Sequence, residues 1–226
     1  MLTPDERVPD AVQTIDDERL VWANFDTLVG ILESVLGRDV GSAEASMYVP
    51  TEREAFLLRE LMRFIYDENL VSGKEDRVLV VGTRRAWDEY HTYDHYFCQP
   101  NRSFKPVSHL AFYKDGEIKP EVPKVTGAAE SITLDEGTIR DHPKLSRSQE
   151  QSLLQAVEKM RENESERYGD TQKVLFLKPD LNLERPVQND KTASDSNRTV
   201  AFVQGHRYVS LSTLRDNPSY TTELEE

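Results

Sequence analysis

The chain has 226 residues, 37% of them hydrophobic and 31% charged, enough for one large or two small domains with a real core. Its formal net charge of −13 argues against indiscriminate binding of polyanions. One cysteine excludes an intrachain disulfide or a multi-cysteine zinc module, and no run approaches the roughly 18 apolar residues of a membrane span.

In chain order, the first elements are helical. Val21, Phe25, Leu28, Leu32 and Val35 recur at three- and four-residue steps, which predicts a helix that stops at Gly37. Thr51 and Glu54 form a T-x-x-E capping box. Leu57, Leu58, Leu61, Met62 and Ile65 are the expected apolar stripe of the second helix. Residues 1–75 therefore read as an acidic helical region. Residues 1–76 hold 7 basic and 17 acidic residues. Acids near the N-terminus stand where a secretory signal would need basic and then apolar residues, so a cytoplasmic setting without a membrane partner is expected.

The character changes at Arg77, and residues 76–226 read as a β-rich domain. Arg77–Gly82 predicts a buried strand. Residues 90–98 are rich in Tyr, Phe, Thr and Cys, which predicts a strand there. Val107–Tyr113 is another, followed by the turn dipeptide Asp115-Gly116. Glu117–Val125 should return as an edge strand, limited by Pro120 and Pro123. Residues 126–145 read as loops or short elements. Ser146 and Gln149 open a capped amphipathic helix over 146–168, carrying Leu153, Ala156, Val157 and Met160. Lys173–Leu177 is a strand, 178–198 a long loop, and Arg198–Leu211 two strands around Gln204-Gly205. A short helix follows, and the acidic end should fray. The sum predicts an α+β fold: a helical N-terminal region, then a mixed or antiparallel sheet or barrel with one packed helix.

Chemistry has few anchors. His91 and His95 would share a helix face about 6 Å apart, but on a strand they stand roughly 13 Å apart, too far for one zinc. Cys98 and His95, three apart on a strand, face opposite sides. No metal or cofactor is therefore expected. Glu117-Ile-Lys119 resembles the E-x-K triplet of PD-(D/E)xK nucleases. With Asp94 as partner acid, that resemblance implies a magnesium-dependent nuclease.

The binding reading uses more of the sequence. Eight of the nineteen aromatic residues lie in 87–113, among them Trp87, Tyr90, Tyr93 and Tyr96, with Arg84, Arg85, Arg102 and Lys105 interleaved. Arg207 and Tyr208 repeat the theme. Aromatic rings that stack bases and cations that meet phosphates are the parts of a nucleic-acid site. SHLAFYKDGEI with EVPKV after it resembles a strand–turn–strand element of PUA-like, EVE-type barrels, over roughly residues 77–215. That resemblance implies a pocket for RNA or a modified base, without catalysis. The expectation is thus a non-catalytic module that binds RNA or DNA, with Trp87, Tyr90, Tyr93, Tyr96, Arg102, Arg207 and Tyr208 as its surface. Residues 1–75 would bind a protein partner or self-associate. The alternatives are the nuclease and a structural component of a viral or defence assembly.

Overall fold

A computed structural model describes residues 2–3, 22–36, 49–68, 70–71, 73–82, 84–100, 102, 104–192, 200–203 and 206–224. The chain divides into two compact units, residues 1–74 with 103–106 and residues 75–102 with 107–226. The fold is α+β.

In the helical unit, β1 (Leu2–Thr3) pairs parallel with β2 (Ala23–Asn24). Helix α1 spans Phe25–Leu36 and α2 spans Glu52–Asp67. Asn24 caps α1 by accepting from the Thr27 N–H at 2.8 Å. The predicted capping box opens α2: Thr51 N–H donates to Glu54 Oε2 at 2.9 Å, and Glu54 N–H to Thr51 Oγ1 at 3.3 Å. Val29, Leu32, Met62, Ile65 and Val71 form the core of this unit. The expected stripe of α2 is displaced. Leu57 and Leu61 are 56% and 41% exposed, while Ala55, Met62 and Ile65 are buried and Leu58 packs beside them. Steps of three, four and three residues put 55, 58, 62 and 65 on one face. Val21 and Gly37 lie outside the described residues.

The sheet unit holds an eight-stranded mixed sheet: β3 (Arg77–Gly82), β4 (His95–Cys98), β5 (His109–Lys114), β6 (Glu117–Ile118), β7 (Glu121–Thr133), β8 (Thr171–Asn182), β9 (Val187–Gln188) and β10 (His206–Ser210). Its main path runs β10-β3-β5-β7-β8-β4, with β6 and β9 joined beside β5. Among the described strands of this sheet only β3 and β5 pair parallel and the other strand pairs are antiparallel, while Gln188 of β9 makes an isolated parallel bridge to Tyr220. The sheet is open, with β10 and β4 as its edges, rather than the closed barrel that the PUA-like expectation offered.

Helix α3 (Ala86–Tyr93) connects β3 to β4, and α4 (Glu136–Arg140) and α5 (Arg147–Glu162) follow β7. Helix α6 (Leu211–Arg215) follows β10. One buried cluster joins Val78, Val80, Ala111, Val187 and Val209 to Leu211 and Leu214 of α6. Another joins Phe97, Ile132, Val174 and Phe176 to Leu153, Val157 and Met160 of α5. The strand β3 is buried from Val78 to Val81, which explains its unbroken apolar run.

Several predicted elements change. Residues 90–93 end a helix rather than start a strand; Ala86, Tyr90 and Tyr93 are its buried face. Asp94 then takes a left-handed conformation (φ 58°), and only His95–Cys98 is strand. Packing at steps of four and three outweighs the β-propensity of tyrosine here. Strand β7 continues to Thr133 through the expected loop, and β8 continues to Asn182. Pro123 sits inside β7 at a register shift between Val122 and Lys124, where a missing N–H is tolerated. Asp115 and Gly116 both have positive φ (59° and 82°), as the tight turn requires. Among described residues, 200–203 are not strand, so only the second of the two late strands forms. Residues 221–224 of the acidic end are latched rather than frayed: Thr221 and Leu224 are buried, and Asp190 accepts from Thr222 N–H at 3.0 Å and Thr222 Oγ1 at 2.6 Å.

Candidate functional site

The predicted aromatic surface is mostly core. Tyr90, Tyr93 and Tyr96 are 4%, 8% and 4% exposed. Tyr90 stacks on Phe112 of β5 at 5.2 Å between ring centroids, and half-buried Trp87 meets the same ring edge-on at 5.4 Å. These contacts dock α3, and the buried rings offer no open face to a base. Burial pushes the Tyr90 and Tyr96 hydroxyls up to about 12. Arg207 lies over Phe202 at 4.3 Å and donates to its carbonyl at 3.3 Å; Tyr208 meets His206 edge-on. Both residues sit on β10, at the far end of the sheet order from β4.

The histidines and cysteine separate as well. His91 is exposed on α3, whereas His95 is 1% exposed in β4. His95 Nδ1 faces the Tyr93 carbonyl, and Nε2 lies 3.3 Å from Ser152 Oγ. Desolvation lowers its pKa, so the neutral ring donates to Tyr93 and accepts from Ser152. Burial pushes the Cys98 thiol up to about 11, which keeps it protonated at neutral pH. Among the described residues, no group of three His, Cys, Asp or Glu side chains could hold a metal ion.

The E-x-K triplet forms an internal pair. Lys119 Nζ lies 2.7 Å from Glu117 Oε1, and Gln188 Nε2 donates to Glu117 Oε2 at 2.6 Å. Both carboxylate oxygens are engaged, and the lysine holds the Glu117 pKa below its ordinary value. Asp94, the proposed partner acid, is an exposed residue at the C-terminal end of α3.

What the fold does assemble is an arginine-lined cleft of about 390 Å³. Gly82 at the end of β3, Arg84 and Arg85 before α3, Tyr96 to Gln99 on and after β4, Arg102, Arg167 and Gln172 line it. Three strands separate β3 from β4 in the sheet order, yet both contribute. The three register shifts between β7 and β8 account for this, because bulges bend and twist a sheet. Arg102 donates to Tyr96 Oη at 3.3 Å. Arg167 grips Glu89 with two nitrogens, at 2.7 and 3.0 Å, and donates to Gln172 Oε1 at 3.2 Å. Arg85 pairs with exposed Glu166 at 2.7 Å. Arg84 is exposed and makes no ion pair among the described residues. Four guanidinium groups share this cleft in an otherwise acidic protein. Planar forks of this kind match phosphate oxygens.

A second cleft of about 600 Å³ adjoins it, lined by Gly82, Arg84, Tyr113, Lys114, Asp115 and Val203. It lies at the carboxyl ends of the parallel pair β3 and β5, where Gly82 and Tyr113 are register partners. Sequence reasoning named Arg84, Arg85 and Arg102 but not Arg167, Gln99 or Gln172. Arg167 lies in a charged run that resembles any solvated turn.

The structure also joins residues that no motif connected. His109 Nδ1 lies 2.7 Å from Ser108 Oγ, and His109 Nε2 lies 2.8 Å from Asp180 Oδ2. Ser108 and His109 are 5% and 3% exposed and line neither cleft, so the trio ties the start of β5 to β8.

Comparison with protein-family models, curated proteins and solved structures finds no match. No described helix is long and apolar enough to cross a membrane.

Proposed function

We propose that the sheet unit is a non-catalytic binding module whose arginine cleft holds the phosphates of a nucleic-acid strand. The observation that carries this is the convergence of Arg84, Arg85, Arg102 and Arg167 on one cleft. The ligand class is the one that the PUA-like resemblance implies, on an open sheet rather than a barrel. The contacts are cationic, with the Tyr90, Tyr93 and Tyr96 rings serving as the packing that holds α3 and β4 in place. Two to four phosphate contacts to a single strand predict roughly 7- to 50-fold weaker binding when salt rises from about 50 to about 200 mM. In anisotropy titrations with single-stranded RNA and DNA, Arg84→Ala with Arg102→Ala should weaken binding about tenfold or more. Arg207→Ala on β10 should leave it unchanged. A wild-type protein that binds neither polymer at low salt would end this reading.

For the helical unit we infer self-association. Its support is the run Phe56, Leu57, Leu61 and Phe64 on α2, each between 41% and 58% exposed. Steps of one, four and three residues place these side chains on one side of the helix. Sedimentation should show a dimer that Phe56→Glu with Phe64→Glu converts to monomer. A monomeric wild type at high micromolar concentration would remove the inference.

A further inference from the structure

The two adjoining clefts have different chemistry, and the difference matches the two ends of a nucleotide. One is walled by guanidinium groups. The other brings the Tyr113 ring and the Val203 side chain together with Arg84, with Lys114, which pairs with Asp88 at 2.7 Å, and with a single lining carboxylate, Asp115. Both volumes fall within the roughly 300–1,000 Å³ of small-molecule sites. Gly82 and Arg84 belong to both walls, so the clefts are neighbours and Arg84 stands at their junction. Gly82 also brings the backbone close to Val203, whose Cγ1 lies 3.5 Å from where a glycine substituent would stand.

We propose that the paired clefts hold one nucleotide, its phosphate among the arginines and its base beside Tyr113, with Asp115 reading the base edge. This rests on the arginine cleft being a phosphate site. Tyr113 is half-buried, braced by Phe202 at 6.1 Å between ring centroids. A braced ring is a sequence-tolerant platform, since every base has a π-face. Choice among bases then falls to Asp115. Its side chain is 74% exposed, and its nearest cation, Lys119 Nζ at 3.9 Å, lies closer to Glu117 at 2.7 Å. A carboxylate only accepts hydrogen bonds. Guanine presents a ring N–H and an amino group side by side, two donors for two oxygens. Adenine and cytosine present an amino group beside an acceptor nitrogen. Uracil presents one N–H between two carbonyls, which repel a carboxylate. The order expected is guanine first, adenine and cytosine between, and uracil last.

The test is calorimetric titration of the full chain at low salt with 5′-GMP, 5′-UMP, guanosine and inorganic phosphate. GMP should bind about 10- to 100-fold more tightly than UMP, the range of one bidentate contact, and more tightly than phosphate. Asp115→Asn should bring GMP down to UMP and leave phosphate unchanged. Asparagine tolerates the positive φ of this position, so the turn is retained. Arg84→Ala should weaken both nucleotides. Equal affinity for GMP and UMP, or for GMP and phosphate, would overturn the base subsite while the phosphate site stands. Absence of any binding, including that of oligonucleotides, would overturn both.

Discussion

Helices α1 and α2 share one seam, and what lies off that seam stays exposed. Met62 and Ile65 are buried, while Phe56, Leu57, Leu61 and Phe64, on the same helix, are not. In the sheet unit β3 is covered on both faces, buried from Val78 to Val81. A sheet with helices and loops on two sides can absorb apolar residues of either parity, whereas a helix pair can absorb only one stripe of each helix. The exposed apolar residues of α2 therefore lie off its buried seam, whereas the buried apolar residues of the sheet unit are core.

The contrast can be broken most directly in the two cores. Phe112→Ala, at a fully buried ring beneath Trp87 and Tyr90, should cost about 3–5 kcal/mol in denaturant unfolding. Phe64→Ala, at 56% exposure, should stay within about 0.5 kcal/mol. Equal losses would erase the distinction. Next, Glu89→Ala leaves the partly buried Arg167 guanidinium without its fork partner and should cost about 1.5–3 kcal/mol. It should also disturb the arginine cleft, so a loss of stability without a change in anion affinity would separate packing from binding.

A smaller effect is expected at the capping box of α5. Gln149 Oε1 accepts from the Ser146 N–H at 2.9 Å, and its Nε2 would lie 2.4 Å from a Cβ at Gly127. Gly127→Ala should push that amide aside and cost about 1 kcal/mol, close to Ser146→Ala. The double variant should cost less than the sum, because both changes act on one cap. The smallest effect concerns pH. Thr222 hydrogen bonds hold the Asp190 carboxyl below its ordinary value. A lowered folded pKa contributes stability above the unfolded value, near 3.9, that disappears as pH falls through the folded one. The gap in thermal midpoint between wild type and Asp190→Asn should be constant above about pH 5 and shrink below about pH 4. A constant gap at all pH values would deny the latch its ionic part.

Legibility followed the range of the interactions. The α5 stripe, both capping boxes and the Asp115-Gly116 turn were readable, since each depends on residues within a few positions, and the α+β class followed from the order of the elements. Of the site, Arg84, Arg85 and Arg102 were named as interleaved cations, but Arg167 was not. It joins them through Glu89, 78 residues away in the chain. Tyr90, Tyr93 and Tyr96 were read as ligand contacts because a tyrosine-rich segment fits a surface or a core equally well.

The amino-acid order by itself determined where the two capping-box helices start, where the hairpin turns, and that the acidity lies mainly in the first third. Capping, turn geometry and charge are local properties of short segments. Tertiary structure alone decided that 86–93 is a helix, that its tyrosines face inward, and that four arginines from three segments share one cleft. Burial and convergence depend on which distant residues cover a face. Here that was settled by α3 docking on Phe112 and by the bulged pair β7 and β8.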